Sequence, residues 1–240
     1  MKPMGECHGD QSRVDASGRA HAGSQRQIQI YVNDLPDALN RAIAESLSAN
    51  LPPSVRIQWV SPLKHEGYTE YYDDDFLRAL GIQQHESELL AFWPKRGPCW
   101  DALARVLFSD GHCGCVLVEA KSHVNEIYGN GCCASDASTQ QICEALRRAK
   151  EWLAVAPEAD WTGKLYQSAN RYAHLYFLRV VAKIDAFLVN VYFVNDRSHR
   201  SQRPTTIQKW KPAIGEVKHQ LGLVRPVPFS SEVFLDAVPS

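Results

Sequence analysis

Cys115-Val116-Leu117-Val118-Glu119-Ala120-Lys121 is the stretch that decides the architecture. Four apolar residues run together and then close on a carboxylate and an ammonium. A short apolar run rich in valine reads as a strand covered on both faces. Side chains two apart on a strand point the same way. Val116, Val118 and Ala120 therefore share one face, and Leu117, Glu119, Lys121 and His123 the other. Ser109-Asp110-Gly111-His112 is a turn signal ahead of the run, and Trp100-Asp101-Ala102-Leu103-Ala104-Arg105-Val106-Leu107-Phe108 lies ahead of the turn. The spacing predicts a β-hairpin over 100–121. Its weak point is Asp101-Ala102-Leu103-Ala104, which by local propensity alone favours helix.

Outward from the hairpin, Ala186-Phe187-Leu188-Val189-Asn190-Val191-Tyr192-Phe193-Val194 reads as a central strand, and Val233-Phe234-Leu235 as an edge strand. Val55 to Val60 alternates polar and apolar, as does Gln27-Ile28-Gln29-Ile30-Tyr31-Val32, so both are expected to be half-buried strands. Between the strands lie helical patterns. Ala38, Ala42, Ile43 and Leu47 form one face, stopped by Leu51-Pro52-Pro53. Residues 64–90 are acidic and helical, with Phe76, Leu77 and Leu80 ending at Gly81. Ile142, Ala145, Leu146, Ala149, Trp152 and Leu153 make a buried stripe, behind a capping-box pattern of Ser138 and Gln141. Residues 164–181 are apolar nearly all round, and a helix capped by Thr205 and Gln208 follows. Residues 1–26 are too polar to fold and read as a disordered tail. Residues 27–240 are expected to form a single three-layer α/β domain, a central mixed β-sheet flanked by helices.

Composition excludes several classes. The chain has 240 residues, 45% hydrophobic and 22% charged, with 26 Lys+Arg against 27 Asp+Glu. That balance is wrong for a globally basic nucleic-acid coat protein, so a polyanion would have to meet a local patch. No stretch approaches the ~20 apolar residues of a membrane span. Met1 to Gln25 has no apolar core of the kind a signal peptide carries. Seven cysteines is an odd number, which suits reduced thiols in a cytoplasmic protein. Cys113, Cys115, Cys132 and Cys133, with His112 nearby, depart from zinc-knuckle spacing and read as ordinary thiols. A homodimer is compatible with the sequence, although no segment marks an interface.

The chemistry concentrates around the hairpin. Asp101 near the start of one strand can sit beside Glu119 near the end of the other, close to Lys121. Two carboxylates supply hard oxygen ligands for Mg²⁺ or Mn²⁺ and leave positions open for water and a substrate phosphate. A bound metal lowers the pKa of its water and stabilises charge on a phosphoryl oxygen, and a lysine adds positive charge at the transition state. These are the residue types that metal-assisted phosphodiester hydrolysis needs.

Asp101 followed by Glu119-Ala120-Lys121 resembles the PD-(D/E)XK, or restriction-endonuclease-like, nuclease superfamily. The resemblance covers roughly residues 60–200: an acidic helical segment, a hairpin carrying the acids, a helix behind the sheet and another buried strand. Phe92-Trp93-Pro94, Glu119-Ala120-Lys121-Ser122-His123, and Tyr166-Gln167 through Tyr176-Phe177 also resemble uncharacterised bacterial proteins, a similarity that supplies a fold and no substrate. The superfamily implies Asp101 and Glu119 as metal ligands and Lys121 as the catalytic lysine. It also implies an acid from the first helical segment, where Glu66, Glu70 and Asp73 are candidates and Glu70 is favoured. Trp100 stands where the motif has Pro.

Other residues extend the candidate site. Gln167, Asn170, Arg171 and His174 make a polar stripe on the apolar helix. The stripe reads either as aimed at the acids or as a solvated face or core network. Related nucleases place a Gln and a Tyr four apart on this helix. Here Gln167 is followed four later by Arg171, with Tyr172 next to it. Lys95 and Arg96, just before the hairpin, suit phosphate contact. His123 and Arg171 are further candidates for substrate binding. Arg197, His199, Arg200, Arg203, Lys209 and Lys211 form a local basic region. The expected function is a metal-dependent nuclease or phosphodiesterase on nucleic acid, with DNA as the expected partner. The alternative is a catalytically inactive nuclease-fold binding or assembly module.

Overall fold

The computed structural model describes residues 13–239, except 53 and 200. One mixed sheet of five strands organises them: β1 (Arg56–Ser61), β2 (Ala102–Leu107), β3 (Cys113–Lys121), β4 (Ala186–Val194) and β5 (Ser230–Asp236), in spatial order β1-β2-β3-β4-β5. β1, β2 and β3 pair antiparallel in turn, and β4 joins β3, and β5 joins β4, in parallel. The expected hairpin is β2–β3, with Ala102 opposite Val118 and Leu103 opposite Leu117. Its strand pairing and burial override the helical propensity of Ala102-Leu103-Ala104, all fully buried.

Helices α1 (Gly23–Asp34) and α2 (Pro36–Ser46) cover one face of the sheet. There Ile28, Leu39 and Ile43 pack with Val116, Val118 and Ala120. The other face carries α3 (Asp73–Leu80), α4 (Glu86–Phe92), α5 (Asp136–Trp152), α6 (Tyr166–Tyr176) and α7 (Ile207–Gln220). On that side Leu117 packs with Leu146, Ala173 and Trp210. The result is the three-layer α/β arrangement, with β3 and β4 buried on both sides. Each fully buried Leu or Phe there contributes about 1.5–3 kcal/mol. α3 stops at Gly81 (φ 78°), whose N–H bonds the Arg78 carbonyl while Ile82 N–H bonds that of Leu77. That is the glycine C-cap expected from Leu80-Gly81.

Three expectations need correction. Gln27–Val32 is not a strand but the middle of α1, and all six residues are buried. The alternation misled because the two glutamines are not solvent-facing. Gln27 exchanges hydrogen bonds with both backbone groups of Val238, and Gln29 accepts the Ala20 N–H. Satisfied amides can be buried as readily as isoleucine. The disordered tail is also wrong for residues 13–26: Val14 bridges Ala20, and α1 opens at Gly23. Residues 1–12 of that expectation lie outside the described residues. The capping positions were misjudged too. α5 opens at Asp136 after Ser135, and Gln141 instead donates to the Leu90 carbonyl. α7 opens after Thr206, while Thr205 is buried with its carbonyl on Asn195 N–H.

Among the described residues no helix is long and apolar enough to cross a membrane.

Candidate functional site

The site forms at the carboxyl end of β3, next to the parallel strand β4. Ligands of open α/β sheets gather in this position. Strand parity turns Glu119 toward α6, where it is 6% exposed. A buried carboxylate is tolerated only with partners, and Glu119 has three. Lys121 Nζ lies 2.5 Å from Oε1, Gln167 Nε2 donates to Oε1 at 2.9 Å, and Arg171 Nε donates to Oε2 at 2.5 Å. Gln167 and Arg171 are four apart on α6, so both project onto one spot. Arg171 also donates to the Cys99 carbonyl (2.7 Å) and to Asn170 Oδ1 (3.0 Å), with its guanidinium 4.8 Å from the centre of the Trp100 ring. Gln167 and Arg171 of the polar stripe are thus aimed at Glu119, and with Asn170 they form a buried network rather than a solvated face.

Asp101 precedes β2, and its Oδ2 accepts the Ala120 N–H at 2.7 Å, which fixes it across the hairpin from Glu119. Glu70, from the loop ahead of α3, joins the group. Its Oε1 accepts from Gln25 at 3.1 Å, and Cys99 Sγ lies 3.8 Å from Oε2. Neither Asp101 nor Glu70 forms an ion pair among the described residues.

The electrostatics separate the three acids. Burial would raise the Glu119 carboxyl, but Arg171 and then Lys121 outweigh it and hold it below the usual range. Burial pulls Lys121 down, yet Glu119 and Asp101 keep its ammonium above the ordinary lysine value. Asp101 is raised well above the carboxylate range, first by burial and then by Glu119, against Lys121. Glu70 is raised likewise, by burial and then by Asp101. The cluster therefore holds one firmly ionised carboxylate and two whose negative charge is under-compensated. A proton or an added cation would relieve that.

Among the described residues, no three His, Cys, Asp or Glu side chains are arranged so that they could hold a metal ion by themselves. Mg²⁺ does not need such a cage, because it commonly takes one or two carboxylates and completes its shell with water and phosphate. Asp101 and Glu119 fit that pattern by donor chemistry, provided Lys121, Gln167 or Arg171 yields an oxygen of Glu119.

Lys95 and Arg96 are exposed on the loop leading to Trp100, and Arg96 has a left-handed backbone (φ 70°). His123 is 3% exposed, with Nδ1 at 2.9 Å from Glu126 Oε1 and Nε2 buried without a partner among the described residues. Arg197, Arg203, Lys209 and Lys211 are exposed and His199 half-buried, while Arg200 lies outside the described residues. Cys113 and Cys133 are exposed and Cys115 is buried in β3.

Sequence reasoning missed Gln25 as a partner of Glu70 and the Cys99 carbonyl as a partner of Arg171. No periodicity could reveal contacts between segments 45 and 72 residues apart. It also missed the anchoring of the β3 terminus. Fully buried Asp196 accepts Ser122 Oγ at 2.6 Å, Ser198 N–H at 2.9 Å and Gln27 Nε2 at 3.3 Å. No family model, no curated protein and no solved structure matches the chain.

Proposed function

We propose that the chain is a metal-dependent phosphodiesterase of the restriction-endonuclease-like type, acting on nucleic acid, with Mg²⁺ or Mn²⁺ at Asp101 and Glu119. The observation that carries this reading is the meeting of Glu70, Asp101 and Glu119 with Lys121 at the end of a buried strand. The acid-bearing hairpin in a mixed sheet backed by helices is the frame that such a site requires. When bound, the metal would supply a water of lowered pKa and positive charge facing the phosphoryl oxygen. Gln167 and Arg171 hold the Glu119 carboxylate in one orientation. Lys121 presents an ammonium beside it for the attacking water or a phosphate oxygen. Glu70 keeps a proton near the reacting group, because its raised pKa makes the neutral form accessible at ordinary pH. Lys95 and Arg96 are placed on an exposed loop where they can meet a phosphate backbone.

One observation favours a second reading. Both oxygens of Glu119 are already taken by Lys121, Gln167 and Arg171, the saturation expected of a structural carboxylate in a catalytically inactive binding or assembly module. The two readings separate in one experiment. DNA and RNA cleavage is measured in Mg²⁺ and Mn²⁺ for the wild type, Glu119→Ala and Lys121→Ala, alongside calorimetric titration of the metal. A nuclease loses at least about 100-fold in rate in each variant, the scale of a lost electrostatic group. Equal cleavage in all three proteins, or no metal binding by the wild type, rejects the hydrolytic reading and leaves the module.

A further inference from the structure

A concavity lies apart from Glu70, Asp101 and Glu119. It encloses about 230 Å³ between the start of α3, α4 and the loop 93–97, and His174 forms part of its wall. His174 is 1% exposed and sits among the rings of Phe76, Phe92, Trp93 and Trp100 at centroid distances of 4.8–6.5 Å. Its Nδ1 lies 2.8 Å from the Asn170 carbonyl, which can only accept. The ring proton is therefore on Nδ1, and Nε2 carries a lone pair with no partner among the described residues. Burial, reinforced by Arg171, pushes His174 down to about 3 despite the Asn170 bond, so the imidazole remains a neutral acceptor.

Nε2 lies beside two other groups around Gly97. A Cβ built on Gly97 would meet His174 Nε2 at 3.4 Å, Asp73 Oδ1 at 3.5 Å and Trp93 Cδ1 at 3.5 Å. Asp73 adopts a left-handed backbone (φ 48°), and its Oδ1 accepts the Gly97 N–H at 2.7 Å. Asp74 and Glu86 also line the cavity, but Arg78 bridges both. Asp73 is the acid there without a cationic partner among the described residues. Leu90, 56% exposed, and Pro94 form an apolar rim.

We propose that this cavity binds an amine or amidine cation carried on a small apolar or aromatic body. An acceptor lone pair and a carboxylate select a donor bearing positive charge. The Trp93 indole adds a cation–π wall, and the rim takes the apolar part. Lys95 at the edge limits the ligand to a single positive charge. Phosphate-bearing ligands are disfavoured by the three acids, and the cavity shares with the proposed phosphodiester site only Lys95 at its edge.

Benzamidine is the probe, with the neutral isostere benzamide as control, titrated calorimetrically into the full chain. Benzamidine is expected to bind at least about tenfold more tightly, a difference of ~1.4 kcal/mol. Asp73→Asn retains an oxygen for Gly97 N–H and a residue type that tolerates left-handed backbone. His174→Phe retains a ring in the aromatic cluster. Each is expected to weaken benzamidine at least about fivefold while the melting temperature holds. No benzamidine binding, equal affinity for both probes, or undiminished affinity in both folded variants overturns the proposal. Competition by n-butylguanidine alone assigns a free small cation of the amidine type. Equal competition by N-acetyl-arginine amide assigns an arginine side chain of a peptide. Either result upholds the ligand class.

Discussion

Glu119 has three nitrogen partners, and deleting one of them has a definite consequence. Arg171→Met removes the guanidinium and leaves a 6% exposed carboxylate with Lys121 and Gln167. Breaking a buried pair in this way costs about 3–5 kcal/mol where no other partner remains. With two retained, urea denaturation should show a loss of about 2–3 kcal/mol. Glu119→Gln combined with Arg171→Met should recover part of it, since no charge is then stranded. A single variant as stable as wild type would mean that Arg171 is not the dominant partner. His174 carries a pH effect of known sign. Its folded pKa, about 3, lies below the unfolded value near 6.5. The unfolded chain therefore binds more protons between those values. This contribution is complete above pH ~6.5 and is lost as pH falls, with a slope up to ~1.4 kcal/mol per pH unit. Asp101 and Glu70, with raised pKa values, act in the opposite sense and lose stability as pH rises through neutrality. Stability against pH for wild type minus His174→Phe isolates the histidine, and an identical slope in both would refute its buried neutral state. At this scale Glu119 and Lys121 were legible from strand parity, and Gln167 and Arg171 from helical spacing. Gln25 was not, because a contact between a helix terminus and a loop 45 residues away leaves no pattern in the chain.

Among the elements, β2, β3, β4 and α6 were readable because each buries a run long enough to show its own period. α1 was not. A helix buried on all sides has no solvent-facing stripe to mark a 3.6-residue repeat, and Gln27 and Gln29 imitate the polar face of a strand. What distinguishes them is the edge backbone of Val238 and the Ala20 N–H, both supplied by other segments. The β3–β4 junction gives an element-scale prediction. Cys115 N–H bonds the Asp185 carbonyl at 2.9 Å, and a Cβ on Gly114 would stand 2.2 Å from that same oxygen. Gly114→Ala must therefore displace the start of β4, and denaturant unfolding should show a loss of about 2–3 kcal/mol. Gly111, in the β2–β3 turn, instead has positive φ (88°), but a Cβ there meets nothing within 4 Å. Gly111→Asn should cost less than about 1 kcal/mol, since asparagine tolerates that backbone. Equal losses at the two glycines would show that the close approach at Asp185 does not govern the junction.

The whole molecule is closed by the segment that composition marks as expendable. Ser24 donates to Glu126, Gln25 to Glu70, and Arg26 to the carbonyls of Val238 and Pro239. One turn of helix thus ties the acid cluster, the segment after β3 and the chain beyond β5. Polar composition predicts disorder when apolar burial must offset ordering entropy alone. Here the ordering is supported by hydrogen bonds to groups of three separate segments, Glu126, Glu70 and the Val238–Pro239 backbone. A chain beginning at Gln27 distinguishes the two views. A dispensable tail would leave the melting temperature unchanged. Loss of these contacts, at about 1 kcal/mol each, predicts destabilisation of roughly 2–4 kcal/mol, or about 4–16 °C for a chain of this size. The acids should respond as well. Without Gln25, Glu70 loses a hydrogen bond that favours its ionised form, so its titration, followed by carboxyl NMR, should move further upward. A shift in stability without that movement would place the effect in the helix rather than in its contact with Glu70.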